Sequence, residues 1–204
     1  MPTPVGHALA GVAVSWVNHK DTKARGNHNG TKAQREGTVR RLYERWGGGL
    51  MVTCAILAAA PDLDLLFNAH RTYTHSIGAV IIVTVIAALV ARWRGLPVAR
   101  VALTCGAAWG SHLLLDWLGA DTNPPFGIMA LWPFSHGWYI SKVSIFDSVS
   151  RRYWLPQQFI WGNLLNVGWE VLVLAPIVIV LGLIRVKALA RLASEMPRDH
   201  HAAE

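Results

Sequence analysis

Charge is scarce in this chain: Asp, Glu, Lys and Arg make up 15% of its 204 residues, against 52% hydrophobic types and a mean hydropathy of +0.31. That balance argues against one or two ordinary soluble domains and for repeated membrane segments. Cysteine is scarcer still. Cys54 and Cys105 lie in apolar runs without a CxxC partner, so they read as small core residues and say nothing about redox compartment. No internal repeat is present. Residues 1–17 lack the positive n-region of a cleavable signal and carry His7 in their middle. Acidic residues are outnumbered by 19 Lys and Arg to 12 Asp and Glu, a net charge of +7. Such an excess can serve nucleic acid, but here the basic residues do not line one helix face. They fall in three blocks that flank apolar runs, the pattern of the positive-inside rule, and no nucleic-acid partner is expected.

What is present is an all-α pattern of about five apolar helices, some short, in a polytopic membrane protein. Residues 5–17 form an apolar run about 20 Å long as a helix, too short to span alone and suited to a buried or half-inserted position. Residues 18–46 are polar, Gly-containing and basic, and read as a flexible loop with a short surface helix at its end. Residues 47–60 form a second apolar run, closed by Pro61. Residues 77–93 and 98–118 read as transmembrane helices. Residues 119–158 form a mixed loop rich in Pro, Gly and Trp, and residues 161–184 form the last and longest helix. The domain thus covers 1–184, and residues 185–204 read as a disordered cytoplasmic tail. With Arg92–Arg100 placed in the cytoplasm, the 18–46 loop and the tail also fall inside. Only Arg71, Lys142, Arg151 and Arg152 are left outside.

The same threading brings His7, the stretch from Pro61 to Ser76, and the pair His112 and Asp116 to the outer face. The stretch packs Asp62, Asp64, His70, Arg71 and His75 between apolar runs, where desolvating charge is costly. His112 and Asp116 are four apart on a helix, share a face, and suit zinc, manganese or iron. The pair would equally make a His–carboxylate hydrogen bond inside a bundle. Asp62 and Asp64 fit as ligands, or as capping carboxylates. His70 and His75 fit as ligands or as interfacial hydrogen-bonding groups, and Thr74 or Ser76 fits as the cap of the helix beginning near Ile77. His7 on an apolar face is ordinarily a satisfied core histidine; its side of the membrane raises it.

Four His and three Asp suffice for one or two metal ions, and a two-metal site activates water and clamps a phosphoryl group. Arg71 suits phosphate oxygens. With no Gly-rich phosphate loop, nucleophile elbow or HExxH in the chain, metal-activated water is favoured over a covalent intermediate. Of ten tryptophans, Trp117, Trp132, Trp138, Trp154 and Trp161 cluster around the outer loop as interfacial anchors. Residues 126–134 are too short to span and are expected to dip into the outer leaflet as a re-entrant or interfacial loop. His136 nearby is an extra candidate ligand or substrate contact. Asn166 and Glu170, four apart in the last helix, are a candidate site pair or a bundle hydrogen bond.

His7, Pro61-Asp62-Leu63-Asp64, His70-Arg71 with Thr74-His75-Ser76, Ser111-His112 with Leu115-Asp116, and Leu131-Trp132-Pro133-Phe134-Ser135 together resemble the YdjM-like family of predicted membrane-bound metal-dependent hydrolases. Thr72 stands where that family's motif is expected to carry glycine, and residues 18–46 look like an insertion. The family in turn resembles zinc-dependent phospholipases C and fungal zinc nucleases, whose HxxxD pair is similar to His112 and Asp116. Their HxxxE finds only Asn166 with Glu170 here. The resemblance implies phosphoester hydrolysis. The expected activity is hydrolysis of a lipid or small phosphoester at the outer face of the inner membrane, with membrane lipids as partners. His7, Asp62, Asp64, His70, His75, His112, Asp116 and Glu170 are the metal candidates, zinc first, and Asp64 and Arg71 are the catalytic ones. The rivals are a metal-ion transporter or sensor, and a protein whose metal only staples the bundle.

Overall fold

A computed structural model describes residues 2–17, 48–67, 70–122, 124–150 and 154–194. Among the described residues five α-helices carry the architecture: α1 (Pro4–Val17), α2 (Gly48–Ala59), α3 (Ile77–Trp93), α4 (Val98–Trp117) and α5 (Asn163–Ser194). No named strand occurs among the described residues, where two isolated bridges pin the 119–150 loop to itself, Gly119 to Phe146 and Ile128 to Tyr139. The helices end where the chain chemistry says they should. Pro61 disfavours helix in the residue before it, and α2 gives way to a 3-10 segment, Ala60–Phe67. Ser76 caps α3 through its Oγ, which accepts from the Ala79 N–H at 3.2 Å. A second 3-10 turn, Tyr73–His75, leads into that cap.

α1 packs on α2, α4 and α5, α2 on α4, and α3 on α4. The α1–α2 approach is close because position 11 is glycine. A Cβ there would run into the Cys54 carbonyl and lie 2.8 Å from the Ala58 methyl. Among the described residues two helices are long and apolar enough to cross a bilayer, Val98–Trp117 and Phe159–Lys187, and α3 is a shorter apolar helix of 17 residues. Their faces explain the composition: Ile81, Ile82, Ile86 and Leu89 of α3, and Leu165, Leu172, Ile179 and Ile184 of α5, are exposed. In water such a surface would be an aggregation site; against lipid it costs nothing.

α5 continues to Ser194, ten residues past the expected helix end at 184. The start of the charged tail, which the sequence reads as disordered, is therefore helical. Its Ala, Leu, Arg and Lys are good helix formers with no Gly or Pro to stop them. The 18–46 loop lies outside the described residues, as does the tail beyond 194. The 126–134 stretch, expected as an interfacial loop, packs against the start of α3. Ile128 and Met129 are buried, and the Ala130 and Trp132 carbonyls accept from the Ile77 and Gly78 N–H groups at 2.8 and 2.9 Å. The loop thereby satisfies free donors at the start of α3. Phe126 and Phe134 remain exposed.

Candidate metal centre

The N-terminal ends of α1 and α3 and the C-terminal ends of α2 and α4 meet at one end of the bundle. Each brings one part. His7 comes from the first turns of α1, Asp62 from the segment after α2, His75 from the turn before α3, and His112 with Asp116 from the last turns of α4. His7, His75, His112 and Asp116 are fully or almost fully buried. Four donor atoms converge. His75 Nε2 lies 3.0 Å from His112 Nε2 and 3.2 Å from Asp116 Oδ2, and His112 Nε2 lies 3.4 Å from that oxygen. Asp62 Oδ1 closes the group, 3.8 Å from His75 Nε2 and 3.7 Å from His112 Nε2. Bonds of about 2.1 Å in tetrahedral geometry set ligand atoms roughly 3.4 Å apart. Five edges of this tetrahedron scatter around that value. The residues fit a divalent ion of the zinc type.

The outer contacts fix which nitrogens point inward. His112 Nδ1 lies 2.7 Å from the Ala58 carbonyl, which can only accept, so Nδ1 carries the proton and Nε2 offers its lone pair. His75 Nδ1 lies 3.1 Å from Asp64 Oδ2. Asp64 in turn receives the Thr74 hydroxyl at 2.5 Å, and its other oxygen meets His70 Nδ1 at 2.8 Å. The Trp109 indole holds this turn to α4 by donating to the Thr74 carbonyl at 2.9 Å. Asp64, expected as ligand or base, lies against His75 Nδ1, the ring nitrogen that faces away from the four-atom group. His70 stands beside Asp64 and outside the four-atom group, although Asp64, His70 and His75 form a second cluster of metal-capable atoms.

Electrostatics show a site that calls for positive charge. Burial pushes the carboxyls of Asp62 and Asp64 upward, yet both stay below the usual carboxylate range. For Asp62 the cause is the surrounding imidazoles, led by His75; for Asp64 it is the bonds from His70, His75 and Thr74. Burial likewise disfavours charge on His75, but the carboxylates of Asp116, Asp62 and Asp64 raise it well above the ordinary imidazole range. The carboxylates around His75 thus favour positive charge at this position. Both ring nitrogens of His7 and both oxygens of Asp116 are buried without a hydrogen-bond partner. Orphaned groups of this kind are expensive in a folded protein and common where an ion belongs.

His7 lies on the other side of the carboxylates. Its ring stacks on that of His112 with centroids 3.7 Å apart, and its Nε2 is 3.4 Å from Asp116 Oδ1 and 4.0 Å from Asp62 Oδ2. The remaining candidates are placed elsewhere. Glu170 bonds to the start of α1, Asn166 Nδ2 donates to the Ser148 carbonyl at 3.0 Å, and His136 is exposed. Arg71, at φ +69°, pairs with Asp121, and its carbonyl accepts from Met129 N–H at 3.0 Å. Asp121 also accepts from Gly127 N–H at 2.8 Å. Sequence reasoning passed over Asp121, although an acid in the loop that carries so few charges was the natural partner for an outer arginine. Asp62, His70, Arg71 and Asp121 line an open cavity of about 110 Å³, with Pro2, Pro4 and Ser148 also in its wall.

The family model of the YdjM inner membrane protein matches residues 1–189. The chain belongs to the YdjM inner membrane protein family. No curated protein and no solved structure matches it. Membership in the YdjM family and the apolar helices together mark a membrane protein. The match takes in every residue of the centre, from His7 to Asp116. Nothing among these comparisons carries the further likeness to zinc phospholipases C or zinc nucleases.

Proposed function

We propose that this protein is a metal-dependent hydrolase of a phosphoester, of lipid or small-molecule origin, working at the outer face of the cytoplasmic membrane. The observation that carries the reading is the four-atom group of Asp62, His75, His112 and Asp116, whose ligand Asp62 also borders the Arg71 cavity. His75 and His112 would hold the ion through Nε2, Asp62 and Asp116 through one oxygen each. His7 and the second oxygens of the two carboxylates are disposed to take a second ion. A divalent ion in such a site makes water nucleophilic near neutral pH. Asp64 keeps His75 in the ligating tautomer, and the buried walls exclude bulk water. Arg71, paired with Asp121 at the cavity wall, is the cation there that would meet phosphate oxygens. Leu65 at the cavity wall and exposed Leu63, Phe126 and Phe134 offer apolar surface for acyl chains.

Charge asymmetry supports the orientation, since fifteen of the nineteen Lys and Arg fall on the side away from the centre in the threading. The transport reading asks for polar residues continuing through the bilayer. The polar candidate in α3 is Thr84, and its hydroxyl is spent on the Val80 carbonyl at 2.7 Å. The test is a screen of purified, zinc- or manganese-loaded protein against p-nitrophenyl phosphoesters and phospholipid vesicles. Hydrolysis lost in His112→Ala supports the reading. Bound metal without turnover of any phosphoester would leave the staple reading in its place.

A further inference from the structure

Glu170 is a carboxylate buried within a largely lipid-facing helix, a costly position unless its charge is compensated. Among the described residues the compensation comes from the start of α1. Glu170 Oε1 accepts from Thr3 N–H at 2.7 Å, and Oε2 accepts from the Thr3 hydroxyl at 2.5 Å and from Gly6 N–H at 3.2 Å. α1 has no acid of its own in its first turn, so an acid from α5 satisfies its free N–H groups and its positive end. Position 6 is fitted to this contact. A Cβ there would sit 2.6 Å from Oε2. The next residue is His7, stacked on His112 and facing Asp116.

A helix of 14 residues that slides by one residue moves its side chains about 1.5 Å along the axis, enough to take an imidazole out of ligating range. From this we infer that Glu170 is a positioning residue, which fixes α1 along its axis and so holds His7 against the metal centre. The inference rests on His7 being part of the proposed site. It differs from the ligand role expected of Glu170 from its spacing to Asn166.

The experiment is a cobalt(II) titration of full-length protein in detergent, followed by visible absorption, with a thermal melt on each sample. Glu170→Ala and Gly6→Ala break the same contact from its two sides, and Glu170→Gln keeps part of it. Loss of a residue that holds a ligand in place typically weakens binding by about 10–100-fold. A loss in that range is expected for Glu170→Ala and Gly6→Ala, with the spectrum shifted to that of His7→Ala and Glu170→Gln in between. In a His7→Ala background, Glu170→Ala should change cobalt affinity no further while still lowering the melting temperature. Wild-type cobalt binding and spectrum in both contact variants would overturn the inference, as would an undiminished Glu170→Ala effect in the His7→Ala background. Should His7→Ala bind cobalt like wild type while His112→Ala does not, the inference fails and the four-atom site stands. Failure of wild type itself to bind cobalt would instead remove the reading beneath it.

Discussion

Asp64→Asn separates a residue that holds the metal from one that holds its ligand. In the structure the carboxylate meets His75 Nδ1 at 3.1 Å with one oxygen and His70 Nδ1 at 2.8 Å with the other, and takes a third bond from Thr74. It is almost completely buried, so solvent does not stand in for a lost bond. Asparagine keeps the shape and one acceptor but turns an N–H₂ toward one of the two imidazoles. Removing such an outer partner typically weakens metal binding by about 10–100-fold, roughly 1.4–2.8 kcal/mol. Zinc affinity measured by chelator competition should fall within that range, with stoichiometry unchanged. Loss of an entire zinc equivalent would show that Asp64 is itself a ligand. An unchanged affinity would show that its bond to His75 does not orient the ring.

Three further outcomes follow from the geometry. Asp121→Ala removes one partner of Arg71, so KM for a phosphoester should rise several-fold while metal content stays at the wild-type level; a fall in bound metal would contradict that division of labour. His75 in the metal-free protein sits well above the ordinary imidazole range, so at pH 7 it carries a proton that an incoming ion displaces. Calorimetry in buffers of different ionisation enthalpy should report release of about one proton from this ring per zinc bound. The apparent affinity should rise with pH until the raised value is passed, and a pH-independent affinity would refute the assignment. Gly11→Ala forces a methyl into the Cys54 carbonyl, and overpacking of this kind costs about 1–3 kcal/mol, so the melting temperature should drop; an unchanged melt would mean that α1 and α2 separate freely.

Much of this arrangement was legible in the chain because it depends on local chemistry. Pro61 ends a helix wherever it occurs in such a run, Ser76 is a capping residue ahead of an apolar segment, and His112 with Asp116 share a face by helical period alone. The charge asymmetry then gathered His7, Asp62 and His75 toward the same end without any contact being known. The rest depended on distances between remote segments. Asp64 and Asp62 look alike in sequence, and only the fold shows that Asp62 meets the Nε2 atoms of His75 and His112 while Asp64 meets His75 Nδ1. Glu170 has ligand-like spacing to Asn166, but α5 delivers it to Thr3, 167 residues away. The Ala58 carbonyl that fixes the His112 tautomer is a backbone group, which no side-chain pattern can announce. The helical start of the tail follows from the helix propensity of its Ala, Leu, Arg and Lys, which its charge conceals.

The central claim is that Asp62, His75, His112 and Asp116 bind a divalent metal. The most direct test is metal analysis of detergent-purified protein by plasma mass spectrometry, wild type beside His112→Ala and Asp116→Ala, with folding checked by circular dichroism. At least one equivalent of zinc, manganese or iron in wild type, and its loss in both folded variants, is the expected result. Wild type without stoichiometric metal after dialysis against each of these ions, or variants that retain it, would contradict the account.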